Sequence, residues 1–224
     1  MRAWLAPALA AIACVAAPAP AAEKRPRLVP DWKQSHLEEG NQTVQAIYRL
    51  ATCARIQRRE AAEAVFATVP GSAEERSRIL AAVPPGHDGC PIRVRKLAIR
   101  NFVHMRGALA EALYNGDRNR PRATALPLAE AVQASPGGSP LTVARWVALC
   151  AVSRNPALAH EVVRFNPGGI GEGRALRALK PTFVGCLPSG ERLDVSRLSM
   201  RALIAEALYR VSVAHKESFA NARS

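Results

Sequence analysis

The chain has 224 residues, a formal net charge of +13, 49% hydrophobic residues and only 5% aromatic residues. This length is enough to bury one substantial core or two small ones. The scarcity of aromatic rings disfavours a protein that binds nucleic acid, because binding to single strands relies on aromatic side chains that stack against bases.

Residues 1–22 have the pattern of an export signal. A positive start is followed by an apolar run, and Ala19-Pro20-Ala21 fits the small-x-small rule of signal peptidase. We expect cleavage just after this tripeptide and a periplasmic or secreted mature chain without a transmembrane helix. Two alternatives stay open: an uncleaved anchor, which the prolines and many alanines disfavour, and a lipoprotein attached through Cys14, which lacks the usual preceding leucine.

The first half of the mature chain predicts an extended arm and then four helices. Residues 23–41 are charged and contain two prolines, which favours an extended arm. Apolar residues at helical spacing begin near Gln42, and Ser72 with Glu75 forms a capping box that opens a third helix. A turn-rich loop follows this third helix and holds Cys90. The later predicted helices cover about 60–68, 72–83 and 93–114.

The sequence contains an internal repeat, because several segments recur in the same order. The matched segments are 51–54 with 148–151, 69–71 with 166–168, and 105–114 with 200–209. Strand patterns are nearly absent. We therefore predict an all-α fold made of two tandem copies of a roughly four-helix unit, packed about a pseudo-two-fold axis, with one internal disulfide in each copy.

The copies define the predicted domain boundaries. The first helical repeat covers 42–115, and the second covers 141–217 with a long last helix at about 196–216. A linker at 116–140 is rich in turn residues and has room for one short helix, and 218–224 form a tail.

Four cysteines remain in the mature chain, and none belongs to a C-x-x-C pair. Zinc sites usually take ligands in close pairs, so these cysteines predict disulfides rather than a metal site. Four cysteines allow three pairings. The duplication favours Cys53 with Cys90 and Cys150 with Cys186, which lie 37 and 36 residues apart.

Certain polar residues recur with the copies and are candidates for a site. They are Arg78, Arg106, Glu111 and Tyr114 in the first copy, and Arg174, Arg201, Glu206 and Tyr209 in the second. A covered glutamate needs a partner, and a repeated arginine can supply it. We expect these residues to tie helices together; the alternative is a pair of equivalent ligand sites, one in each half.

No motif for a nucleophile, a metal or a cofactor is found in the sequence, so we predict none. The arginines are spread along the chain, which favours gene composition over a functional basic patch as the source of the charge. The leading hypothesis is an exported, non-enzymatic protein for interaction or scaffolding in the cell envelope. Its partner would be an anionic envelope component or another protein. The alternatives are an envelope hydrolase with a site between the halves and a carrier of a small anionic ligand.

Overall fold

A computed structural model of the chain describes residues 37–83, 102–117 and 142–221, and side chains within these ranges from residue 43 to residue 216. These residues form eight α-helices and one short 3-10 helix, without a strand. The α-helices are α1 (Leu37–Gln57), α2 (Arg59–Ala64), α3 (Ala73–Ala82), α4 (Phe102–Gly116), α5 (Val143–Arg154), α6 (Pro156–Arg164), α7 (Ile170–Cys186) and α8 (Arg197–Asn221). The 3-10 helix, Val65–Ala67, continues α2.

The all-α prediction is confirmed over the described residues. Helix α8 begins within a residue of its predicted start. The helices fall into two sets of four, α1–α4 and α5–α8, with corresponding neighbours: α1 packs on α4 as α5 packs on α8, and α2 packs on α3 as α6 packs on α7. The most extensive contact in the fold is between α4 and α8, which joins the two sets.

Both sets contribute to one continuous hydrophobic core. Leu109 of α4 and Ile204 of α8 are fully buried at its centre, together with Ile79, Val152 and Leu179 from the surrounding helices. The buried apolar surface is the main stabilising contribution. None of the described helices is both long and apolar enough to cross a membrane.

Gly107 sets the distance between α4 and α8. A Cβ atom at this position would lie 2.3 Å from both Cα and Cβ of Ala202, so the two backbones approach more closely than any side chain on Gly107 would allow. The buried residues on either side of this crossing, such as Met105 and Met200, are thereby brought into the shared core.

Two predicted boundaries are wrong. Helix α8 runs to Asn221, so residues 218–221 of the predicted tail are helical. Helix α1 begins at Leu37, so residues 37–41 of the predicted extended arm are helical. Leu37, Glu38 and Glu39 are good helix formers, and acidic residues suit the first turn of a helix. The predicted signal segment, the start of the fourth helix, most of the linker 116–140 and the end of the tail lie outside the described residues.

The predicted cap of α3 is confirmed in part. The Ser72 hydroxyl accepts a hydrogen bond from the Glu75 backbone N–H at 3.0 Å. The Glu75 carboxylate does not close the capping box on Ser72; instead it accepts from the backbone N–H of Gly71, which has a positive φ of 85°. Glu75 is buried, and its second oxygen faces the core.

The predicted disulfide between Cys150 and Cys186 is confirmed. It joins α5 to the last residue of α7, with the two Cα atoms 5.8 Å apart. The Trp146 indole donates to the Cys186 carbonyl at 3.2 Å and holds the same two helices together. Cys53 is also disulfide-bonded, and its predicted partner Cys90 lies outside the described residues.

We expect Gly107→Ala to lower the free energy of unfolding by about 1–3 kcal/mol, measured by urea denaturation, because the added methyl group overpacks the α4–α8 crossing. Gly185→Ala on the exposed face of α7 is the control. Its Cβ would meet only the end of the Arg154 side chain, at 3.1 Å, and the change favours the helix. A Gly107→Ala protein as stable as the wild type would show that the crossing is not tightly packed.

Candidate functional site

Arg106 of α4 is fully buried and bound by both sets of helices. Its Nε donates to Glu206 of α8 at 2.9 Å, and its Nη1 donates to Glu75 at 3.0 Å and to the Val65 carbonyl at 3.0 Å. The guanidinium also lies over the Phe66 ring, 5.1 Å from its centre. A buried cation must be neutralised and hydrogen-bonded to be tolerated, and these partners satisfy that requirement.

Arg201 of α8 is fully buried in a matching environment. It makes a bidentate pair with Glu111 of α4, with Nε–Oε2 and Nη2–Oε1 distances of 2.9 and 2.6 Å. Its Nη1 donates to the Val162 carbonyl at 2.6 Å, and its Nη2 donates to the Phe165 carbonyl at 2.8 Å. Glu172 lies 3.7 Å from Nη1.

The two arrangements are reciprocal. The arginine of α4 binds the glutamate of α8, and the arginine of α8 binds the glutamate of α4. Glu75 and Glu172 also correspond: each lies in the first turn of its helix and accepts a backbone N–H from a glycine with a positive φ, Gly71 in one case and Gly168 in the other. The buried charges therefore fix α4 against α8 and both against the third helix of each set.

Glu206 is surrounded by cations. Besides Arg106, it binds Arg145 of α5 at 2.8 Å and Arg210, one turn further along α8, at 3.0 Å. Burial by itself would raise the pKa of Glu206, but the three guanidiniums outweigh it and hold the pKa at about 2. Glu206 is therefore ionised at neutral pH and ties helices together.

Glu111 has a different environment although it occupies the corresponding place. Tyr48 of α1 stands where Arg145 stands in the other set, and Asn115 stands where Arg210 stands. Burial raises the pKa of Glu111 to about 7; Arg201 opposes this shift only in part, and the charge of Glu172 adds to it. The Glu111 carboxyl group therefore changes its charge near neutral pH.

A cleft of about 310 Å³ opens beside Glu111. Its walls come from α1, α4 and the turn between α6 and α7, so residues of both sets line it. The hydroxyl of Tyr48 is buried, and it has no hydrogen-bond partner in the described part of the chain. Burial also raises the pKa of Tyr48, so this hydroxyl keeps its proton.

Six of the eight predicted site residues lie at or next to the contact between α4 and α8. Arg106, Glu111, Arg201 and Glu206 are brought together at the α4–α8 contact, as described above. Tyr114 and Tyr209 lie next to it. The first is buried beside His160, with a 3.3 Å contact from its hydroxyl to Nδ1, and the second packs on Phe66 with ring centres 4.6 Å apart.

Arg78 and Arg174 are not part of this group, because both are exposed on the outer faces of α3 and α7. Glu75 and Glu172 were not predicted as partners of the buried arginines. The sequence does contain a pattern that could have identified them, because each glutamate stands four residues after the glycine of a matched Pro-Gly pair, Gly71 or Gly168. Tyr48 and Arg145 had no such signal, since the two positions hold unlike residues.

In the described ranges, no cluster of three or more His, Cys, Asp or Glu side chains is placed to hold a metal ion. No protein family, characterised protein or solved structure was found to match the chain.

We expect Glu206→Gln to lower the free energy of unfolding at pH 7 by about 3–5 kcal/mol, because it leaves three arginines without their carboxylate. The folded pKa of about 2 lies below the ordinary value of about 4.3. The stability that the ionised group provides is therefore complete above pH 4.3 or so and is lost as the pH falls towards 2. The difference in free energy of unfolding between the wild type and Glu206→Gln, measured by urea denaturation, should therefore become smaller below about pH 4.

Glu111→Gln is the matched control, with the opposite trend. Its folded pKa of about 7 lies above the ordinary value, so the stability linked to this group is complete below about pH 4 and is lost as the pH rises through 7. Because glutamine resembles the protonated acid, wild type and Glu111→Gln should have similar free energies of unfolding below about pH 4, and the variant should become relatively more stable as the pH rises to 7. The same pH trend in both variants would show that the two carboxyl groups have similar environments.

Proposed function

We propose that the chain is an exported, non-enzymatic helical protein that binds an anionic component of the cell envelope through the exposed face of α7. The observation that carries this proposal is a set of three cations on that face, Arg174, Arg177 and Lys180. Their spacing of three residues places them within about a third of the helix circumference. None has an ion-pair or hydrogen-bond partner among the described residues.

Apolar side chains accompany these cations on α7. Ile170 at the start of the helix is 68% exposed, and Val184 near its end is 44% exposed. Surfaces that combine cations with exposed apolar groups bind anionic lipid headgroups by attraction and by partial burial of the apolar groups. The disulfide at Cys186 and the core residue Leu179 anchor α7 from its inner side, so the outer face is presented on a rigid support.

The buried charges support a non-enzymatic role. Glu111 and Glu206, the acids at the contact between the two sets of helices, are each bound by arginines at 2.6–2.9 Å. This arrangement suits the joining of helices, and at Glu206 three arginines hold the carboxylate ionised, so this residue does not suit the general acid that the hydrolase alternative needs.

We also infer that the two sets of helices are tandem copies of one ancestral unit. The correspondence of the buried contacts supports this: Arg106 with Val65 and Glu75 repeats as Arg201 with Val162 and Glu172. The same inference pairs Cys53 with Cys90, by correspondence with Cys150 and Cys186.

We expect the purified protein to co-sediment with vesicles that contain phosphatidylglycerol but not with phosphatidylcholine vesicles, and to be released as salt is raised. A cation near an anionic surface contributes roughly 1 kcal/mol, so the triple variant R174Q/R177Q/K180Q should bind roughly a hundredfold more weakly. The control is R49Q/R78Q/R192Q, which removes the same charge from exposed positions elsewhere.

Equal weakening in the two triple variants would mean that net charge, rather than the α7 face, drives binding. No binding of the wild-type protein to the anionic vesicles at low salt would overturn the proposed function.

Export is tested by the intact mass of the protein isolated from its own cells. We expect a mass that corresponds to loss of about the first 22 residues. A chain that begins at Cys14 with attached lipid would support the lipoprotein alternative, and the full-length mass would support the uncleaved anchor.

A further inference from the structure

The cleft beside Glu111 contains a buried polar group without a partner. The Tyr48 hydroxyl forms no hydrogen bond of good geometry within the described residues. Arg201 is its nearest polar neighbour, and that guanidinium lies over the ring, 5.3 Å from its centre, while all its strong hydrogen bonds go to Glu111 and to backbone carbonyls. A buried hydroxyl without a partner is destabilising, because it has given up its hydrogen bonds to water. Such a group in a cleft is typical of a position that a ligand completes.

Arg55 supplies an unpaired positive charge on the same cleft. It is half-buried in α1, and no carboxylate or carbonyl binds its guanidinium among the described residues. The end of its side chain lies against the backbone of Gly116, where any Cβ would come within 2.4–2.7 Å of it. Gly116 therefore leaves room for the guanidinium beside the cleft.

The corresponding region of the other set of helices has no such arrangement. Arg145 takes the place of Tyr48 and fills the space with a guanidinium bound to Glu206. Val152, which is buried in the core, takes the place of Arg55. The fold therefore forms without a tyrosine and an arginine at these two positions, so the pair is not needed to build this kind of helical unit.

We propose that the cleft binds a small hydroxylated carboxylate, with the carboxylate on Arg55 and a hydroxyl group on Tyr48 and Glu111. One unpaired guanidinium balances one negative charge, and the other arginine on the cleft, Arg164, is already bound to Glu161 at 2.6 Å. A doubly charged phosphate would leave an excess of negative charge close to Glu111.

The size of the cleft suits a ligand no larger than a monosaccharide. Its volume of about 310 Å³ is at the lower end of the range for small-molecule pockets, about 300–1,000 Å³. Its lining includes Tyr48, Arg55 and Glu111, which favours a molecule with several hydrogen-bonding groups. This single site differs from the two equivalent sites that a symmetrical carrier would have, and it is independent of the α7 face.

The test is an NMR titration of the purified, isotope-labelled protein with three matched sugars and with lactate. D-glucuronate carries a carboxylate at C6, glucose a neutral hydroxymethyl group, and glucose 6-phosphate a phosphate ester at the same carbon. We expect glucuronate or lactate to cause saturable shifts of the Arg55 side-chain N–H, with a dissociation constant of about 1–10 mM. Glucose and glucose 6-phosphate should bind at least about tenfold more weakly.

Variants separate a ligand role from a structural role. Arg55→Gln should weaken binding about tenfold or more, because a charge-assisted hydrogen bond is lost. Arg177→Gln, which removes the same charge from the exposed surface of α7, should leave it unchanged. Tyr48→Phe should weaken binding about fivefold and at the same time raise the melting temperature by about 2–4 °C, because it removes the unpartnered hydroxyl.

Absence of saturable shifts with both glucuronate and lactate would overturn the proposal, as would equal weakening by Arg55→Gln and Arg177→Gln. Tighter binding of glucose 6-phosphate than of glucuronate would overturn the assignment to a carboxylate. A fall in the melting temperature of Tyr48→Phe, with binding unchanged, would show that Tyr48 has only a packing role. None of these measurements involves vesicles, so failure here is distinct from failure of the α7 proposal.

Discussion

The fold depends on two guanidinium groups that are completely removed from water. Arg106 and Arg201 would each be strongly unfavourable in an apolar core, and each is tolerated because a carboxylate from the opposite long helix and backbone carbonyls surround it. Separation of α4 from α8 would therefore leave both guanidinium groups without their carboxylate partners. The close approach at Gly107 makes the arrangement possible, since it lets side chains on one helix reach across to the other.

Helix class and caps could be predicted from the sequence because they depend on local spacing and on short-range hydrogen bonds. The Cys150–Cys186 disulfide followed from matched spacing. Which arginine binds which glutamate did not follow: recurrence of Arg106 and Glu111 shows that both residues are retained, but not whether a bond lies within a set of helices or between the two sets. Only the close α4–α8 crossing decides this in favour of bonds between the sets.

The basic face of α7 shows a second limit of the sequence argument. Along the chain, Arg174, Arg177 and Lys180 do not stand out among the many arginines. Helical spacing then brings these three cations to one side of α7 while the core takes the residues between them, such as Leu176 and Leu179. Periodicity within an exposed helix is therefore the better measure of a basic surface than local density of charge.

Two differences separate the corresponding sites: Tyr48 and Asn115 of the first set stand in the places of Arg145 and Arg210. Arg145 completes a ring of cations around Glu206 and lowers its pKa, while Tyr48 at the corresponding place leaves Glu111 with Arg201 and a pKa near neutrality. The same exchange replaces a long, bonded side chain with a ring whose hydroxyl has no partner in the described chain. In the proposed duplication, one copy would thus have kept a closed, strongly bonded junction. The other would be free to take up a ligand, because the reciprocal ion pairs already hold the helices around it.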